Sequence, residues 1–202
     1  MESRRLGILI SGRGSNLQAI IDAIRTGRLD ATIAVVISNV PGAPGLARAV
    51  EAGIETVVLP HGDYPSRAEY DRALAETLRT HGVVVVCLAG FMRLLGPRFV
   101  EAFPNRVLNI HPSLLPSFPG LHAQRQALLH GVKVSGATVH LVTAELDAGP
   151  IVLQASVPVL DDDTEETLAA RVLVEEHRIY PEAIQTVLDG RWRLEGRRFL
   201  SC

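Results

Sequence analysis

The sequence has only two cysteines, Cys87 inside an apolar run and Cys202 at the last position. Two such residues cannot build a disulfide framework, and a reducing compartment is expected. Long apolar runs are missing too. The longest, residues 83–89, falls far short of the ~20 residues that a bilayer-spanning helix takes, so no membrane association is expected. The N-terminal "MESRRLGILIS" has two arginines and a short apolar stretch but no small-residue cleavage pattern, which argues against a secretory signal. A cytoplasmic setting is the expectation. Charge of one sign is also absent: 20 basic against 22 acidic residues leave a formal net charge of −2. Bulk charge therefore calls for no polyanionic partner. The basic tail "GRWRLEGRR" sets one aromatic among its arginines, too little for a nucleic-acid surface. There is no H-E-x-x-H and no CxxC, so no metal is expected, and no G-x-S-x-G elbow presents a nucleophile.

What is present is a core. Hydrophobic residues make up 47% of the 202 residues, which excludes global disorder. In the first half, short apolar runs alternate with amphipathic segments. Strands are expected at 6–10, 34–37, 56–59, 83–88 and 106–110. Helices are expected at 16–25, 44–52 and 66–81, with Leu17, Ile20, Ile21 and Ile24 on one face of the first. Ser66 and Glu69 have capping-box spacing. The 83–88 run is apolar on both faces, as in a central parallel strand. Beyond residue 110, a loop with three prolines (112–120) leads to a helix at 122–130 and to strands at 136–142 and 150–157. A long helical region at 164–188 follows, which Pro181 is expected to bend or restart. The tail reads as a hairpin around Glu195-Gly196. This order predicts an α/β fold: a Rossmann-like, mostly parallel central sheet flanked by helices, in one domain spanning 1–202.

The stretch "ISGRGSNL", residues 10–17, joins the first strand to the first helix. Free N–H groups and the helix dipole favour an anion at such a junction. Gly12 and Gly14 allow close approach, and Ser15 and Asn16 add donors and can cap the helix. A dinucleotide fingerprint would need a third glycine where Leu17 stands, and an acid where the chain has Ser38 and Asn39. A P-loop would need Gly-Lys-Ser/Thr. The loop reads as a phosphate site of another kind, or as a plain tight turn.

The second constellation is "NIHPSLLP". Asn109 and His111 are two apart at the carboxyl end of the expected fifth strand, so they share a face. One offers an amide N–H and the other a titrating imidazole, which suits a developing oxyanion; a structural pair in a proline-rich turn is the alternative. His140 and Asp147 follow in "HLVTAELDAGP". A carboxylate beside a histidine raises its pKa, although spacing alone does not bring Asp147 to His111. Glu175 and Glu176 read as a solvated helix face, and His61, His81, His122, His130 and His177 as surface or packing residues.

Taken together, "SGRGSNL", "LAGFMRLL", "LNIHPSLLPSFPGLH" and "GATVHLVTAELDAGPIVLQ" resemble the phosphoribosylglycinamide formyltransferase (glycinamide ribonucleotide transformylase) family, over about residues 6–188. "NIHPSLLP" marks formyltransferases in general, and "SGRGSN" narrows the match to this branch. The resemblance implies transfer of a formyl group from the co-substrate 10-formyltetrahydrofolate to the amine of glycinamide ribonucleotide, in purine biosynthesis. The partners implied are these two small molecules, with room left for a homodimer. It implies that His111 is the general acid, that Asn109 donates to the oxyanion, that Asp147 raises the histidine's pKa, and that His140 supports them. Gly14, Ser15 and Asn16 would take the ribonucleotide's phosphate, and Glu176 its ribose. Arg67, Met92, Arg93, Leu94 and Leu95, with Asn109 and the segment Ala144, Glu145, Leu146 and Asp147, would form the folate pocket. Residues 1–110 would then be the phosphate-binding half, and 111–202 would carry the catalytic loop, the folate loop and the C-terminal helix. No role is implied for Gln124, and Arg13 fills the variable slot of the glycine loop.

Three rivals remain. A formyltetrahydrofolate deformylase would use the same scaffold, by resemblance behind an extra N-terminal regulatory domain. A methionyl-tRNA formyltransferase would add a C-terminal RNA-binding domain. A non-catalytic binder on this fold would be expected to lack the Asn-His-Asp set.

Overall fold

The structure, a computed structural model, describes residues 4–202. The chain divides after Leu108 into two compact units. The first is parallel α/β. Strands β1 (Arg5–Ile10), β2 (Thr32–Ser38), β3 (Thr56–Val58) and β4 (Val85–Leu88) lie in the order β3-β2-β1-β4. Every pairing among these four is parallel. β4 is buried at each of its four positions, as its two-faced apolar run predicts. Helices α1 (Ser15–Arg25), α2 (Pro44–Glu51) and α3 (Arg67–Thr80) make the crossovers. Leu17, Ile20 and Ile21 form the buried stripe of α1.

Several details differ from the sequence reading. The N-cap of α1 is Gly14, in a left-handed conformation with φ 71°, and neither Ser15 nor Asn16 caps the helix. Ser66 does cap α3, its hydroxyl accepting the Glu69 N–H at 3.2 Å. A short helix, α4 (Pro97–Ala102), was not foreseen; six residues are too few to show a periodicity, and Pro97 at its start was the available signal.

β5 (Val107–His111) carries the chain into the second unit, where the strand order is β5-β6-β7-β9-β8. β6 (Val134–Leu141) and β7 (Ile151–Pro158) are antiparallel, and β7 pairs in parallel with β9 (Arg198–Ser201). β8 (Trp192–Glu195) and β9 form the expected tail hairpin. Helix α5 (Ala123–Leu129) precedes β6, and α6 (Glu165–Asp189) packs on β6 and β7. Thr164 and Thr167 form a reciprocal capping box at the start of α6. Pro181 does not restart the helix: α6 runs continuously over 25 residues, and Pro181 is among its buried positions. Burying Ile179, Tyr180, Ala183, Ile184 and Val187 around it offsets the lost backbone hydrogen bond, so packing outweighs propensity here. No helix of the described residues is long and apolar enough to cross a membrane.

Candidate functional site

In the first unit the glycine loop is held from several sides. Gly14 takes the left-handed turn that an L side chain resists, and a Cβ there would come within 2.6 Å of the Gly45 Cα. Gly45 is a residue that sequence reasoning missed: its N–H donates to the Gly12 carbonyl at 3.0 Å. Arg48, one turn further along α2, donates Nε–H to the Arg13 carbonyl at 3.0 Å. The loop is thus fixed through its backbone, and its helix opens with Ser15 and with Asn16, which is 8% exposed.

The same unit holds four of the expected folate residues in one segment after β4. Met92 and Leu94 are 66% and 59% exposed, Arg93 is exposed, and Leu95 turns inward and is buried. The Met92 N–H donates to the Ser11 hydroxyl at 2.8 Å. At the other end, the Gly96 N–H donates to Asp71 Oδ2 at 2.7 Å. Asp71 is buried, and that burial raises its pKa against the pull of Gly96, Arg67 and Arg93. Arg67 is exposed, with Nε 3.8 Å from the same carboxylate.

The second unit brings together the four residues proposed for catalysis. Asn109 and His111 project from the end of β5, and His140 from β6. Asp147 sits in the loop between β6 and β7 with φ 49°. That loop closes at Gly149, where a Cβ would overlap the Leu141 carbonyl oxygen. Asp147 bridges both histidines: Oδ2 lies 3.4 Å from His111 Nδ1, and Oδ1 lies 3.6 Å from His140 Nε2. The Gly120 N–H donates to Oδ2 at 2.8 Å, tying the carboxylate to the proline-rich loop. Asn109 Nδ2 is 3.2 Å from His140 Nε2, and His140 Nδ1 is 3.1 Å from the Leu141 carbonyl. A ring nitrogen facing a carbonyl carries the proton, which leaves Nε2 of His140 to accept one N–H of Asn109. The second amide N–H of Asn109 is the one a substrate can use.

His111 Nε2 faces the Phe118 carbonyl at 2.9 Å, so the residue is fixed on one edge by that backbone oxygen and on the other by Asp147. The net shift in its pKa is downward, although Asp147 pulls it up as the resemblance implies. Burial lowers it, and the opposing pull of the Phe118 carbonyl and Asp147 is too weak to reverse this. Burial acts to raise the pKa of Asp147, but the His140 contact, the Gly120 N–H and the attraction of either imidazole when protonated bring it below the usual carboxylate range. Asp147 is therefore ionised at neutral pH, while free His111 is mostly neutral. A cavity of about 280 Å³ lined by Leu115, Pro116, Asp147, Gly149, Ile151 and Arg197 opens beside this carboxylate.

Of the other expected residues in this unit, Ala144, Glu145 and Leu146 are exposed on the loop leading to Asp147. Glu176 corrects the reading of a solvated pair: it is 7% exposed, whereas Glu175 lies nearer the surface and binds Arg178 at 2.7 Å.

Phosphoribosylglycinamide formyltransferase of Escherichia coli is 51% identical over 93% of this chain and 88% of its own length. The crystal structure of glycinamide ribonucleotide transformylase 1 from Symbiobacterium toebii superposes with a TM-score of 0.97 at 59% identity, covering 98% of this chain and 94% of the other. A formyltetrahydrofolate deformylase from Pseudomonas syringae pv. tomato is more distant, with a TM-score of 0.91 at 29% identity, over 99% of this chain and 66% of its own. The family model described as formyl transferase matches residues 4–184. The chain belongs to the formyl transferase family.

Proposed function

We propose that this enzyme is a phosphoribosylglycinamide formyltransferase, moving the formyl group of 10-formyltetrahydrofolate onto the amine of glycinamide ribonucleotide to give formylglycinamide ribonucleotide and tetrahydrofolate. One observation carries the reading: Asn109, His140, Asp147 and His111 form a continuous polar set at the end of β5 and β6. Its free amide N–H, its carboxylate and its titrating ring are what acyl transfer between two nitrogens requires. The amine nitrogen bonds to the formyl carbon, and the carbonyl oxygen becomes an oxyanion. Asn109 donates its remaining N–H to that oxygen. The bond from carbon to the folate nitrogen then breaks. The amine sheds one proton and the folate nitrogen gains one, so the protein must carry a proton between them. His111 is the carrier: with Nε2 fixed on Phe118, Nδ1 beside ionised Asp147 is the edge that exchanges it. Asp147 stabilises the imidazolium formed on the way, and His140 orients Asn109.

In the first unit the ribonucleotide's phosphate falls to Gly14, Ser15 and Asn16, where the α1 N-terminus supplies N–H groups; in the second, Glu176 is the residue the resemblance assigns to the ribose. For the pterin, Met92 and Leu94 offer apolar surface in the first unit, and Leu146 does so in the second. Large exposed apolar side chains of this kind suit a surface that a ligand covers. Arg67 and Arg93 supply positive charge for the folate's acidic end.

The rival is hydrolysis of the same folate. Purified protein is mixed with 10-formyltetrahydrofolate, with and without glycinamide ribonucleotide, and tetrahydrofolate release is followed. Release is expected only with the ribonucleotide. Equal release without it makes the enzyme a deformylase.

A further inference from the structure

Ser11, the first residue after β1, opens the glycine loop in sequence and is hydrogen-bonded to the segment after β4. Its N–H donates to the Gly90 carbonyl at 3.1 Å, extending the β1–β4 ladder beyond the strand ends. Its hydroxyl accepts the Met92 N–H at 2.8 Å and donates to Asn39 Oδ1 at 2.5 Å. Asn39 is 4% exposed, just past the end of β2, in the place where a dinucleotide-binding sheet would carry an acid. A hydroxyl has a single proton, and the carbonyl oxygen of Asn39 takes it. A lone pair of Ser11 is thereby aimed at Met92. The chain Met92 N–H to Ser11 O–H to Asn39 is directional, and each bond strengthens the next.

We propose that Ser11 is a positioning residue that couples the phosphate loop to the Met92–Leu95 segment, so that filling one site pre-organises the other. The inference rests on the reading of these two loops as the ribonucleotide and folate sites. The mechanical case lies in how each loop is otherwise anchored. The glycine loop is fixed to α2 through Gly45 and Arg48, and neither touches the Met92 segment through the bonds described. That segment is fixed at its far end by Asp71 and at its near end by Ser11. Ser11 therefore belongs to both, and ordering either loop orders its partner at this hydroxyl. Coupling of this kind is reciprocal.

The test is titration calorimetry on the whole protein with tetrahydrofolate, which has no formyl group to transfer, in the presence and absence of glycinamide ribonucleotide. The ribonucleotide is expected to tighten tetrahydrofolate binding about five-fold or more, with the same factor in the reverse order. In Ser11→Ala that factor falls towards one while each ligand still binds alone, and Ser11→Thr keeps it. A wild-type factor of one, or an unchanged factor in Ser11→Ala, overturns the proposal. If circular dichroism shows that Ser11→Ala has lost its fold, Asn39→Ala, which removes the acceptor that orients the hydroxyl, is read by the same criterion. The underlying assignment is tested separately by Ser15→Ala with Asn16→Ala. An unchanged ribonucleotide Kd in that double variant rejects the phosphate site itself, whatever Ser11 does.

Discussion

Asp147 Oδ2 stands 3.4 Å from His111 Nδ1, and both side chains are less than one-tenth exposed. In the free protein this carboxylate works against burial, which holds the histidine's pKa below 6.5. Replacing Asp147 by Asn keeps the shape and the acceptor for the Gly120 N–H but removes the charge. The His111 titration, followed by NMR of the ring, is expected to move to still lower pH in Asp147→Asn. Turnover should drop on the order of 10²–10⁴, the range of general acid–base catalysis, because the imidazolium loses its counter-charge. A His111 pKa that rises in the variant would mean that the carboxylate does not favour the charged ring.

The same shift sets a pH dependence of stability. The unfolded chain protonates His111 near 6.5, and the folded one only at lower pH. As pH falls below 6.5 the unfolded state binds the extra proton first, so stability declines down to the folded pKa and then levels off for this group. Asp147, depressed below 3.8, adds stability that is present above 3.8 and lost as pH falls through its folded pKa. Urea unfolding at a series of pH values should show the first decline as pH falls below 6.5 in wild type, and a flatter curve in His111→Asn. Parallel curves would remove His111 from the account.

How much of this was open to reading from the chain depends on range. The parallel strands were visible because β1, β2 and β4 are uninterrupted apolar runs, and Asn109 and His111 share a face by strand geometry alone. The partnership of His111 with Asp147 was implied by the family resemblance but not by spacing, and the fixing of Nε2 by the Phe118 carbonyl was not visible. One is a contact between a strand end and a distant loop, and the other involves a backbone atom that leaves no trace in residue type. Burial was the other hidden variable. It outweighs the pull of Asp147 on His111, it separates Glu176 from Glu175, and it keeps α6 continuous through Pro181.

Gly14→Ala tests the loop without touching a ligand-facing side chain. Its φ of 71° costs an L-residue about 1–2 kcal/mol. The methyl would also press on the Gly45 backbone, which cannot swing aside. The midpoint of thermal unfolding should fall by about 2–8 °C, at about 2–4 °C per kcal/mol for a chain of this size. Ribonucleotide KM should rise as the α1 N–H groups are displaced, with little change in folate KM. An unaltered Tm would mean that the turn accommodates a side chain.

Glu175 and Glu176 are neighbours on α6 with opposite fates, which makes them a matched pair of probes. Glu175 is paired with Arg178, whose side chain is 52% exposed, and such a surface pair is worth about 0–1 kcal/mol. Glu175→Gln should leave the kinetics alone and shift stability by less than that. Glu176 is 7% exposed on the same helix. A carboxylate so placed accepts hydrogen bonds from sugar hydroxyls more strongly than an amide does, a bond to a charged group being worth about 1.5–3 kcal/mol against about 0.5–1.5 for a neutral one. Glu176→Gln preserves volume and should raise ribonucleotide KM by about five- to ten-fold, the factor that a difference of about 1–1.5 kcal/mol gives, with kcat and folate KM nearly unchanged. The split between KM and kcat is the discriminating readout. A variant that loses kcat instead would place Glu176 in the chemistry rather than in sugar binding, and one that loses only stability would make it a structural acid of the α6 packing.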